Sequence, residues 1–202
     1  MKQVTVLAGG WSASQFDLRK LPGFVIAVND AAYYGPRWDA CVSMDRLWSE
    51  NRFDWMKKQR KPVLLRRSTI KNFRIDELAH IRAFDNDHLA TDLSDEDGWL
   101  NGTNSGLCAL NLAYRMRPGE IYLVGFDMTL GPRGEKHWYP PYPWSQSTGA
   151  ARLEEWSRQF VGAAKQCAAA GISVFTAGTF SRIKTFEHVG RQTLERAAQC
   201  VA

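Results

Sequence analysis

Val4-Thr5-Val6-Leu7-Ala8-Gly9-Gly10-Trp11-Ser12 opens the chain with an apolar, β-branched run that stops at paired glycines. A run this short cannot form a helix worth burying, so it reads as a strand covered on both faces, with the glycines as a tight turn. The pattern recurs downstream. Phe24 to Val28 follows the turn Leu21-Pro22-Gly23 and ends at Asn29-Asp30, Trp38 to Met44 ends at Asp45, and Pro62 introduces Val63-Leu64-Leu65. Glu120 to Val124 ends at Gly125-Phe126-Asp127. Helical periodicity fills Arg46 to Gln59, Leu107 to Met116 and Ala150 to Ala170, the last read as one helix with Gly171 as its C-cap before a strand at Ile172 to Phe175. A final helix is expected over Gly190 to Val201. Between Arg66 and Leu100 the periodicity fades, and only a short strand near Ile81 to Phe84 is assigned. All-apolar strands alternating with amphipathic helices predict an α/β, Rossmann-like fold: one domain over residues 1–202, with a mostly parallel sheet sandwiched by helices.

Composition narrows the class. The 202 residues are 45% hydrophobic and 23% charged, which are globular proportions and exclude disorder and fibrous repeats. No apolar run approaches the roughly 20 residues of a membrane span, and the N-terminus carries no signal-peptide pattern, so a soluble cytoplasmic protein is expected. Cys41, Cys108, Cys167 and Cys200 are far apart and lack metal-site spacing, so they read as buried thiols. The net charge of +5 is uneven. Lys57, Lys58, Arg60, Lys61, Arg66 and Arg67 cluster, as do Asp92, Asp95, Glu96 and Asp97. Without interleaved aromatics, the basic cluster reads as a solvated helix end and strand rather than a nucleic-acid surface.

In parallel sheets the ligand crevice lies beyond the carboxyl ends of the strands. The residues delivered there are Gly9, Gly10 and Ser12; Asn29 and Asp30; Asp45; and Asp127. The glycines let backbone approach a ligand closely, and a helix starting after them would point free N–H groups at phosphate. The stretch is neither GxGxxG nor GxxxxGK[ST], which disfavours a dinucleotide dehydrogenase and a P-loop kinase, and the alternative is a turn with no ligand. Thr103, Asn104, Ser105 and Gly106 form a second polar loop at a helix entrance, either a phosphate or ribose cradle or a plain cap. His137 lies in the Pro- and aromatic-rich segment Lys136 to Trp144 and is the candidate general base, with a packed, non-catalytic histidine as the alternative.

These strand ends resemble, in order and approximate spacing, those of the bacterial sialyltransferases of glycosyltransferase family 42 and the related 6-hydroxymethylpterin pyrophosphokinase-like superfamily. Small members encoded by phages or prophages are similar too. The matching stretches are Gly9-Gly10-Trp11-Ser12, Val28-Asn29-Asp30, Thr103-Asn104-Ser105-Gly106 and Ile121 to Asp127. The resemblance implies a nucleotide-activated donor held by the glycine turn, Asn29 and the loop 103–106, with His137 as lid base and Asp127 as the second catalytic candidate. It departs where the sialyltransferases carry Asn and this chain has Gly10 or Trp11, and again at Asp45.

Three functions follow. The first is a metal-independent transferase using a CMP-activated sugar and needing no cofactor. The second is a pyrophosphokinase-like enzyme in which Asp45 and Asp127 hold Mg²⁺ against ATP phosphates. The third is a non-catalytic nucleotide-binding or assembly protein. The segment 128–147 is expected to be a mobile lid, because Gly131-Pro132-Arg133-Gly134 gives a flexible approach and its prolines deny regular structure; Trp138, Tyr139 and Tyr142 would close over the donor. The eight tryptophans read as core and lid packing, with a homo-oligomer through exposed ones as the alternative.

Overall fold

The structure is a computed structural model and describes residues 1–199 except 72, 74, 76, 77, 142 and 145–147. Cys200, Tyr142 and the end of the expected last helix therefore lie outside the described residues. Eight parallel strands form one sheet: β1 (Gln3–Leu7), β2 (Phe24–Val28), β3 (Ala40–Ser43), β4 (Val63–Arg66), β5 (Ile81–Phe84), β6 (Glu120–Val124), β7 (Ser173–Ala177) and β8 (Glu187–Val189). Their spatial order is β5-β4-β3-β2-β1-β6-β7-β8. The helices are α1 (Asp30–Tyr34), α2 (Arg46–Met56), α3 (Ser105–Arg115), α4 (Ala150–Arg158), α5 (Val161–Ala169) and α6 (Arg191–Gln199).

Successive strand residues point to opposite faces, and both faces are buried. Val4, Val6, Ile26, Ile121 and Leu123 pack beneath α3 and α5, where Leu107, Leu110 and Cys167 meet them. Leu7, Val25, Ala27, Tyr122 and Val124 pack on the other side against Ala31, Trp48 and Leu194 of α1, α2 and α6. The central strands therefore read as largely apolar runs, interrupted in β1 by the buried Thr5, which made them visible in the sequence. Cys41, Cys108 and Cys167 are buried and free, and burial pushes the Cys108 thiol up to about 12.

Several elements differ from expectation, among them α1, which was not assigned from the sequence. The helix read over 150–170 is two helices, broken where Phe160 turns fully into the core between α4 and α5. α5 does end at Gly171: its φ is +71°, and Ile172 N donates back to Cys167 O, the long closing bond of a glycine C-cap. β8 was not anticipated, because Glu187 and His188 are exposed and only Val189 is buried in a three-residue strand. No tryptophan is exposed; all eight are buried or half-buried. That removes the exposed tryptophans on which the self-association reading rested. No helix among the described residues is long and apolar enough to cross a membrane.

Candidate functional site

Strand order runs outward from β1 through β2 to β5 on one side and from β6 to β8 on the other, so the order in which strands are added reverses between the parallel neighbours β1 and β6. A reversal point opens a crevice, because the connections leaving the two strands diverge. A cleft of about 530 Å³ opens over the carboxyl edge. Gly9, Gly10, Asn29, Asp45, the whole loop Thr103 to Gly106, Asp127 and His137 border it. Ten of the twelve candidate residues thus share one cavity, while Ser12 and Asp30 do not border it.

The glycine turn differs from the expected phosphate cradle. No α-helix follows it, only a 3₁₀ turn over Trp11–Gln15. Its amides are largely committed: Gly10 N donates to Gly125 O, Ala13 N to Gly10 O, and Ser12 N to Asp127 Oδ2 at 2.9 Å. Ser12 Oγ donates to the other Asp127 oxygen. Asp127 is therefore a buried clasp between the ends of β1 and β6, its carboxyl raised above the usual range by burial, against the opposing effect of the two Ser12 hydrogen bonds. The clasp itself requires glycine at position 10, since a Cβ there would run into Gly125 O and the Asp127 carboxylate. Gly10→Val consequently breaks the fold locally and is no clean test of binding. Gly125, at φ +73°, faces Ala8 O in the same junction.

Asp30 is also structural. Fully buried, it accepts Arg52 Nε and Nη2 at 2.8 and 2.9 Å and Trp48 Nε1 at 2.8 Å. Its neighbour Asn29 is different: its φ of +52° with ψ −129° is a backbone shape that side chains rarely adopt. Its Oδ1 is buried without a hydrogen-bond partner. Such strain, about 1–3 kcal/mol, persists only where the surrounding structure enforces it.

The loop 103–106 supplies what the glycine turn lacks. It opens α3, whose eleven residues bring a helix N-terminus to the cleft. Asn104 Oδ1 caps the helix by accepting Leu107 N at 3.0 Å, and Ser105 Oγ accepts Met44 N at 3.1 Å, tying the loop to the end of β3. Gly106 leaves room for the Phe126 ring, 2.8 Å from where a Cβ would stand. Asp45 is exposed and caps α2, with Oδ1 accepting Trp48 N at 3.0 Å.

This donor set fits Mg²⁺ poorly. Both Asp127 oxygens serve Ser12, Asp45 keeps one oxygen on α2, and the described residues contain no group of three His, Cys, Asp or Glu able to hold a metal.

His137 sits against the glycine turn, its ring stacked on Tyr139 at 4.9 Å, and Tyr139 stacks in turn on Tyr34 at 5.2 Å. Burial, with a smaller push from Lys136, lowers the imidazole to about 4, so it is neutral at pH 7. The described part of the expected lid is fastened. Trp138 N donates to Gly9 O and its Nε1 to Ala8 O at 2.9 Å, while Gly131 N donates to Glu135 O at 2.7 Å and closes the approach into a turn. The remaining wall was not anticipated. Leu153 and Trp156 of α4 border the cleft, with Trp144 and Thr148 before them. Their spacing of three in an amphipathic segment was the available signal.

The sequence matches no protein-family model and no curated protein. Its fold does match a solved structure, that of the sialyltransferase CstII from Campylobacter jejuni in complex with the substrate analogue CMP-3FNeuAc. The two chains are 12% identical over 94% of this chain and 86% of that one, with a TM-score of 0.56. At that identity the likeness is one of fold: a Rossmann-like α/β sheet shared over nearly the whole length.

Proposed function

We propose that this chain is a glycosyltransferase-like enzyme that binds a CMP-activated sugar without a metal and passes the sugar to an acceptor hydroxyl. The observation that carries this reading is the convergence on one cleft, at the reversal point of the sheet, of the α3 N-terminus, the loop 103–106 and the strained Asn29. Support comes from the fold shared with a sialyltransferase whose structure holds a CMP-sugar analogue.

In this reading the donor phosphate lies against the N-terminus of α3, where the helix dipole and the hydroxyls of Thr103 and Ser105 complement its charge. Asn29 Oδ1 accepts from a ribose hydroxyl or the base amino group, which relieves its lack of a partner. The acceptor oxygen attacks the anomeric carbon, the bond from that carbon to the phosphate oxygen breaks, and cytidine monophosphate leaves. His137 takes the acceptor proton. Its neutral state at pH 7 is the one a base requires, and a phosphate bound nearby raises its proton affinity toward the useful range. Asp127 holds the turn for this chemistry and Asp30 anchors α2 behind it; neither is the base.

The test is calorimetric titration with CMP, UMP, ADP and ATP, each with Mg²⁺ and with EDTA. The proposal expects CMP to bind equally in both conditions. Binding of ATP that requires Mg²⁺ would establish the pyrophosphokinase-like alternative, and silence throughout would leave a fold without nucleotide function.

A further inference from the structure

We infer that a second cavity, against another face of α4, is a binding site for the phosphate dianion of a small phosphate ester. It spans about 580 Å³ between α4, the first residue of α5 and the segment joining β7 to β8. No residue borders both this cavity and the strand-end cleft, so the inference stands apart from the transferase reading.

Charge selects the ligand. Arg158 comes from α4, Arg182 and Lys184 come from the segment before β8, and Glu154 is the one acid among the described residues that border the cavity. Three cations against one carboxylate leave two positive charges there. Elsewhere the arginines are mostly spent on acids, as in Arg115–Asp97, Arg117–Asp95 and Arg191–Glu195, yet among the described residues no acid pairs with Arg182 or Lys184. Like charges gathered around one hollow repel each other, and an anion between them relieves the repulsion. Arg158 does pair with Glu154, but both side chains are more than half exposed, and so solvated a pair is readily exchanged for a stronger anion.

The cations are held in place by main chain. Ser181 and Ile183 are buried on either side of the exposed Arg182. Arg182 N donates to Asp127 O at 3.0 Å and Ser181 Oγ to Phe126 O at 2.7 Å, so the segment hangs from the end of β6. The backbone beneath Arg182 is thus set before a ligand arrives, and its guanidinium can fork onto two anion oxygens. Thr185 adds a hydroxyl at the border, whereas Ser157 Oγ already donates to Glu154 O.

A phosphate monoester carries a charge of about −1.5 to −2 near neutral pH and three acceptor oxygens, which matches the two uncompensated cations; a carboxylate brings one charge. The cavity is also larger than a bare phosphate needs. Val161, 46% exposed at its border, offers apolar surface to the organic part of an ester. Such an occupant would bridge α4 to the sheet edge.

Calorimetric titration in phosphate-free buffer with ribose 5-phosphate, inorganic phosphate and acetate tests the site. Ribose 5-phosphate is expected to bind and acetate is not. Arg182→Gln and Arg158→Gln change exposed side chains and keep the fold, and each should weaken ribose 5-phosphate about tenfold through loss of a charge-assisted hydrogen bond. Weaker binding of inorganic phosphate than of the ester supports the ester as occupant, whereas equal binding keeps the anion site and overturns the ester. Acetate binding as tightly as the phosphates overturns the dianion assignment. No binding of ribose 5-phosphate at millimolar concentration overturns the inference, and so does an affinity unchanged in both variants, which would place the phosphate elsewhere on the molecule.

Discussion

Segment 131–139 and helix α4 border the same cleft but are attached to the molecule by different means. The first is laced to the sheet edge by main-chain and indole hydrogen bonds to Ala8 and Gly9, and backed by the stack of His137, Tyr139 and Tyr34. The second buries one serine, reaches the loop 103–106 through Gln159, and otherwise carries exposed ion pairs such as Arg152–Glu155. Elements with few buried contacts open at low free-energy cost, whereas laced ones move only with the fold. The described stretch 131–139 of the expected lid is thus the fixed wall, and α4 is the wall able to adjust.

The largest effect should come from undermining the fixed wall at its base. Arg52 neutralises buried Asp30 and stacks 3.8 Å over Tyr33, beside the Tyr34 that supports Tyr139. Arg52→Ala leaves a buried carboxylate without its counter-charge and should cost about 3–5 kcal/mol in urea unfolding. A loss below about 1 kcal/mol would mean that Asp30 is solvated and the wall has no such anchor.

An intermediate effect belongs to His137 and sharpens the contrast through pH. Its imidazole titrates at about 4 in the folded protein and near 6.5 when unfolded. Between those values the unfolded chain binds a proton that the folded one refuses, so this contribution to stability is present above pH 6.5 and lost as pH falls to about 4. Asp127, raised by burial, acts with the opposite sign, since the folded protein takes up its proton first on acidification. Comparing wild type with His137→Gln cancels that background. The wild type should lose on the order of 1–2 kcal/mol more than the variant across this window, measured by denaturant unfolding at each pH. Parallel curves would show a histidine exposed to water and a wall that is not packed.

The smallest effect is expected on α4. Arg158 pairs with Glu154 four residues away, both side chains more than half exposed. Arg158→Ala should change stability by no more than about 0.5 kcal/mol. A change several times larger would make α4 a packed element and erase the difference between the walls.

The same contrast explains what could be read in the sequence. β1, β2 and β6 were legible because burial on both faces makes them largely apolar runs, and their terminal glycines, Asn29 and Asp127 marked the edge where the cleft lies. What those polar residues do there was not legible. Asp30 and Asp127 look alike as strand-end acids, yet one is paired with Arg52, 22 residues on, and the other with Ser12, 115 residues back, and no local pattern encodes such partners. The break between α4 and α5 was hidden because Gln159 and Phe160 are acceptable helix residues, and only the pull of the core on Phe160 separates the two helices. Trp156 was passed over for a related reason: apolar spacing in a helix ordinarily means core.

A nucleotide lying across the reversal point of the sheet, against the start of α3, would shield the main chain there. Hydrogen–deuterium exchange with and without CMP reads that shielding. Bound CMP should slow exchange at the amides of Ser105 and Gly106 and around Asn29, with little change at Gly10, Ser12 and Ala13, whose amides are already engaged within the protein. Slowed exchange elsewhere on the surface with loop 103–106 unaltered would contradict it.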